Sequence, residues 1–253
     1  MTSTPPDPHH LPSRRGALAA AVAIGGAALL LPGCARSEKN EDKKGGEEGV
    51  EVGATEDMMR EHGVLRRILV VYRASAGLLR QEATKIDAHQ LVAAADLFRA
   101  FGEDYHEHKL EEAHVFPAVK KAGGPAAALI DTLIAQHARG REINAFVVDR
   151  SKTGIISAGD KVAVADALDG FARMYEKHAA IEDTVIFQAW RKSLSPEALK
   201  DAGETFEDIE KVQFKGDGFD IAVDRIAAIE RALGFGDLAT FTAPPPPHLG
   251  SNV

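Results

Sequence analysis

FGEDYHEHKLEEAHV at residues 101–115 and FARMYEKHAAIEDTV at residues 171–185 carry one pattern twice. Phe101, Tyr105, His108, Glu112 and Val115 in the first stretch answer to Phe171, Tyr175, His178, Glu182 and Val185 in the second, each displaced by 70 residues. Steps of three and four put all five side chains on one face of an α-helix, so each stretch predicts a helix whose inner seam carries a His and a Glu one turn apart.

Each repeat is preceded by a further helical segment with one inward histidine. The first stripe runs Met58, His62, Leu65, Leu69, Tyr72, in a helix expected to start after Thr55 as its N-cap. The third helix, from Pro125, gives Ile130, Leu133, His137, Gly140, Asn144 and Val147. Helices two and four are expected to open near Asp87 and after Asp160. The fold class that follows is all-α: an antiparallel four-helix bundle over residues 55–192, built of two hairpins related by a pseudo-twofold axis. Residues 193–240 predict two extra C-terminal helices outside the bundle, and 241–253 a Pro-rich tail.

Composition narrows the chemistry. A formal charge of −8 over 253 residues, with no basic patch, argues against a nucleic-acid partner. The single cysteine, Cys34, excludes thiolate zinc and iron–sulfur sites, so a metal must be held by His and carboxylate. His and Glu four apart can reach one ion together. Leaving a carboxylate unpaired in an apolar seam costs roughly several kcal/mol, against a total fold stability of roughly 5–15 kcal/mol. Two core salt links, His108 to Glu182 and His178 to Glu112, are the metal-free alternative. Six residues in a repeated pattern favour metal: His62, His108, Glu112, His137, His178 and Glu182. Two carboxylates at the centre of a bundle suit a pair of ions that they bridge, and on octahedral bookkeeping about two coordination positions stay open for a small ligand. His106 and His114 are expected to face away from this site, and Tyr105 and Tyr175 to serve as core aromatics one turn from it.

His followed four residues later by Glu is the reverse of the Glu-x-x-His order of ferritin-like bundles. It resembles instead the hemerythrin-like (HHE cation-binding) domains. The resemblance is carried by Glu61-His62, by His108-Lys109-Leu110-Glu111-Glu112 with Val115-Phe116-Pro117, by Gln136-His137, and by His178-Ala179-Ala180-Ile181-Glu182. It covers about residues 56–192, and it implies two iron ions as the cofactor. Oxygen-carrying members place a second His four residues after that of the third helix, where this chain has Arg141. Members also often place the fourth-helix carboxylate five residues after its His. That position is Asp183, which stays open beside Glu182 as a ligand.

At the N-terminus, Arg14-Arg15 before an apolar run ending in Leu31-Pro32-Gly33-Cys34 resembles a twin-arginine export signal joined to a lipobox. The expectation is a signal peptide over 1–33, a lipid anchor to the membrane at Cys34 of an exported envelope protein, and a charged tether over 34–54. The function expected is a di-iron protein that binds a small-molecule ligand (oxygen, nitric oxide or peroxide) or stores or senses iron. A di-iron peroxidase or oxidase is the alternative.

Overall fold

In the computed structural model, which describes residues 52–81, 85–236 and 240–246, the chain divides into two units, Met1–Val52 and Gly53–Val253. The second is described here. The expected signal peptide, Cys34 and nearly all of the expected tether lie outside the described residues, as does the end of the Pro-rich tail.

Among the described residues all regular structure is helical. Helix α1 spans Ala54–Leu79. Gly53 is its N-cap, and Thr55, expected to cap it, lies inside the first turn with its hydroxyl buried and without a hydrogen-bond partner. Helix α2, Ala88–Leu97, is capped by the Asp87 carboxylate, which accepts from the His89 amide at 3.0 Å. It runs without a break into a π-helix, π1, over Phe98–Val115, and then into α3, Phe116–Ala122. After a short turn of helix at Gly124–Ala127 (α4) comes α5, Ile130–Ser151, so the third rod starts five residues beyond the expected Pro125. Helix α6, Lys161–Ile181, continues as π2, Glu182–Ile186, and α7, Phe187–Ser193. Helices α8, Pro196–Phe214, and α9, Gly218–Ala232, follow caps at Ser195 and Asp217.

The four long rods are α1, α2–π1–α3, α5 and α6–π2–α7. Arg66 and Arg73 of α1 and Arg80 at its C-cap pair with Asp183, Glu176 and Asp169 in turn, so α1 and α6–π2 run in opposite directions. The packing between them is tied together by Phe171, whose ring lies 5.3 Å from Tyr72, 4.8 Å from Phe98 and 4.5 Å from Tyr175. Such aromatic pairs contribute about 0.5–1.5 kcal/mol beyond burial alone. Gly140 of α5 lets the Tyr175 hydroxyl approach its backbone, because any Cβ there would overlap that hydroxyl.

The two C-terminal helices lie against the flank of the rods. Phe214 of α8 meets Tyr105 at 5.2 Å, Phe206 stacks on Trp190, and Glu230 of α9 takes a two-pronged bond from Arg67 at 2.9 and 2.5 Å. No described helix is long and apolar enough to cross a membrane.

The π-helix changes which side chains face the core. A backbone paired i to i+5 advances less per residue than an α-helix, so residues five apart come to share a face. In π1 the buried positions include His106 and Glu111, five apart, together with Phe98, Phe101, Gly102, Glu103, Tyr105, Glu107, Leu110 and Val115, while His108 turns outward. In the fourth rod the α-helical spacing holds as far as Glu182, and π2 then shifts burial from Val185 to Ile186.

Candidate metal centre

Each of the four rods brings a histidine to one point in the core. His62 comes from α1, His106 from π1, His137 from α5 and His178 from α6, and none is more than 3% exposed. They meet in two pairs: the Nε2 atoms of His62 and His106 are 3.0 Å apart, and so are those of His137 and His178. Between the pairs lie Glu111 and Glu182, both wholly buried. Glu111 spans them, with one oxygen 3.3 Å from His106 Nε2 and the other 3.4 Å from His137 Nε2. Glu182 also touches both, 3.5 Å from His62 Nε2 and 3.0 Å from His178 Nε2.

The outer nitrogen of every ring is spoken for. His62 Nδ1 bonds to Asp183 at 2.7 Å, His106 Nδ1 to Glu61 at 2.7 Å, His137 Nδ1 to Glu112 at 2.8 Å and His178 Nδ1 to Gln136 Oε1 at 2.8 Å. Carboxylate and amide oxygens only accept, so each Nδ1 carries a proton and a neutral ring turns its Nε2 lone pair inward. Two lone pairs facing each other at 3.0 Å repel. Among the described residues the four oxygens of Glu111 and Glu182 have no hydrogen-bond partner. With the rings neutral, this dry cluster of acceptors needs positive charge, from protons or from metal ions, and the imidazole-plus-carboxylate donor set fits iron, manganese or zinc. Glu111, His137, His178 and Glu182 form one group compact enough to hold an ion, and His62, His106 and Glu111 another.

The electrostatics agree. Burial disfavours a charged ring at His137, but Glu107, Glu111 and Glu112 outweigh it and raise its pKa to about 10. His62 and His106 are raised in the same way against their own burial, the first by Asp183 and Glu182, the second by Glu111 and Glu61. Burial pushes Glu182 up, yet His178 and His62 bring it well below the ordinary range.

Four of the six expected residues, His62, His137, His178 and Glu182, sit in this cluster. The structure does not bring the other two, His108 and Glu112, into it, although Glu112 with Glu107 and His137 forms a third group close enough to hold an ion. His108 is 69% exposed at its side chain, where its Nδ1 lies 3.3 Å from Glu112. Glu112 lies one step outward, bonding His137 Nδ1 and accepting from Arg141 at 3.0 Å. Their places are taken by His106 and Glu111, because the π1 backbone, bonded i to i+5, turns less per residue than an α-helix. Asp183 is likewise an outer partner, held between His62 and Arg66. The signal that could have shown this is the acid pair: Glu111-Glu112 aligns with Glu182-Asp183 at a displacement of 71, not 70. Tyr105 and Tyr175 are buried, with hydroxyls donating to Glu61 at 2.9 Å and to Glu107 at 2.7 Å.

A model of the family described as "Hemerythrin HHE cation binding domain" matches residues 53–190. Uncharacterized proteins of Mycobacterium bovis and Mycobacterium tuberculosis are each 42% identical to the chain over 200 residues, 78% of this chain and 76% of theirs. No solved structure matches the chain.

The raised and lowered groups fix a pH dependence for the metal-free protein. His137 holds its proton more tightly folded than unfolded, so its contribution to stability is complete below about 6.5 and is lost as pH rises through about 10. Glu182 contributes above its ordinary value of 4.5 and loses that contribution as pH falls further. The unfolding midpoint of metal-stripped protein is therefore expected to be highest between roughly pH 4.5 and 6.5 and to fall toward pH 10. A divalent cation should remove that alkaline fall. A midpoint that rises from pH 6.5 to 10 without metal contradicts the assignment.

Proposed function

Because the chain belongs to the hemerythrin HHE cation-binding family, we propose that its four rods form an antiparallel bundle that holds two iron ions. His62 and His106 would bind one ion, His137 and His178 the other, and Glu111 and Glu182 would bridge them. The observation that carries this reading is the pair of buried carboxylates whose four oxygens have no hydrogen-bond partner among the described residues. A pair of iron ions would supply Lewis-acid and one-electron chemistry toward a small ligand.

What the chain itself contributes is orientation and exclusion of water. Asp183, Glu61, Glu112 and Gln136 fix the ring planes and their tautomers. The cavity at the cluster is lined by His62, His106, Glu111, His178 and Glu182 themselves, and Leu65, Leu69 and Ala179 wall it off, leaving about 10 Å³ for the centre of a water-sized molecule. The reading adds a small ligand such as oxygen, nitric oxide or peroxide, taken at coordination positions that the protein side chains leave open.

Protein purified from iron-replete cells should contain about two irons per chain, as a bridged pair requires. His106→Ala and Glu111→Gln should each lower that content severalfold, and His108→Ala should leave it unchanged. Retention of iron in the first two variants with loss in the third would return the site to the α-helical register.

The reading also includes export and acylation at Cys34, supported by Arg14-Arg15 and by Leu31-Pro32-Gly33-Cys34. Cys34→Ser should move the protein from the membrane fraction to the soluble one. Membrane attachment that survives the substitution contradicts a lipid anchor there.

A further inference from the structure

The internal twofold allows one half of the centre to serve as a control for the other. Glu61-His62, His106 and Glu111-Glu112 correspond to Gln136-His137, His178 and Glu182-Asp183. At two of the four rings the outer shell matches across the axis. His62 bonds the carboxylate of Asp183, itself tied to Arg66, and His137 bonds the carboxylate of Glu112, tied to Arg141.

At the other two rings it does not. His106 Nδ1 donates to the carboxylate of Glu61 at 2.7 Å, and Glu61 is wholly buried, with its second oxygen accepting from Tyr105 at 2.9 Å. His178 Nδ1 donates at 2.8 Å to the amide oxygen of Gln136, which is neutral. Glu107 is the remaining carboxylate near the second pair. Its oxygens accept from Tyr175 at 2.7 Å and Arg141 at 3.3 Å, and it stands 3.9 Å from His137 Nδ1, beyond hydrogen bonding. A carboxylate accepting the outer N–H draws the proton away from the ring and makes the inner nitrogen a stronger donor to a metal. An amide does so less.

We propose that the two metal positions are unequal, with the ion between His62 and His106 bound first and more tightly, and that the Glu61–Gln136 difference sets the order. The inference rests on the two-ion reading of the site. Glu61 and Gln136 would act through His106 and His178, as positioning residues that tune the donor strength of each end.

Calorimetric titration of metal-stripped protein with iron(II), under anaerobic conditions, tests it. Two steps of one ion each are expected, with affinities about 10–100-fold apart, the range over which such outer partners act. Gln136→Glu should tighten the weaker step by about tenfold or more and leave the tighter one in place, bringing the two together. Glu61→Gln should weaken the tighter step by a similar factor, and if that variant does not fold, Gln136→Glu still decides the matter. Two ions taken up by the native chain in one step of equal affinity would overturn the inference while leaving the two-ion reading intact. So would a Gln136→Glu variant that tightens the first step instead of the second, or neither. Saturation at one ion or none would overturn the two-ion reading and the inference with it.

Discussion

Four imidazole lone pairs and two carboxylates pointed at one another in a dry core repel unless positive charge lies among them. The rest of the structure is arranged around that repulsion. Each rod contributes a histidine, so the bundle cannot close without bringing the rings together, and Glu111 and Glu182 reach across between the pairs. In the metal-free chain, protons on the rings are the available substitute for cations, which is why the carboxylates hold His137 protonated up to about pH 10. Metal binding as proposed would then be linked to folding through the same six side chains.

The outer shell converts this unfavourable inner cluster into a defined one. Every ring is held through Nδ1 by a partner on a different rod: π2 holds the α1 ring, α1 the π1 ring, π1 the α5 ring and α5 the α6 ring. Orienting the ligands and joining the rods are therefore one set of contacts. Arg66 and Arg141 balance the charge of Asp183 and Glu112, and Tyr105 and Tyr175 satisfy the remaining oxygens of Glu61 and Glu107. Arg141 stands where oxygen-carrying relatives are expected to place another histidine, and here it serves the outer carboxylates.

Much of this was legible in the sequence because most of it obeys α-helical spacing. The stripes through His62 and His137 are buried at every position expected of them, and His178 and Glu182 keep their turn of separation up to the start of π2. The second rod was not legible from side-chain spacing, because the hint of a changed register in residues 98–115 is a slip of one residue in the acid pair Glu111-Glu112. With a constant advance per residue assumed, Tyr105 correctly predicts a buried ring, but the same count carried to His108 and Glu112 lands on the surface and on the outer shell. The helix start failed for a smaller reason. Thr55 looks like a cap by side chain, whereas the backbone turns at Gly53, where no side chain announces it.

Anomalous diffraction from crystals of the iron-loaded protein would test the central claim most directly, because it locates the metal without reference to side-chain positions. Two iron peaks are expected between Glu111 and Glu182, one beside His62 and His106 and the other beside His137 and His178. A single peak, or iron lying against His108 and Glu112 at the surface, would contradict the account.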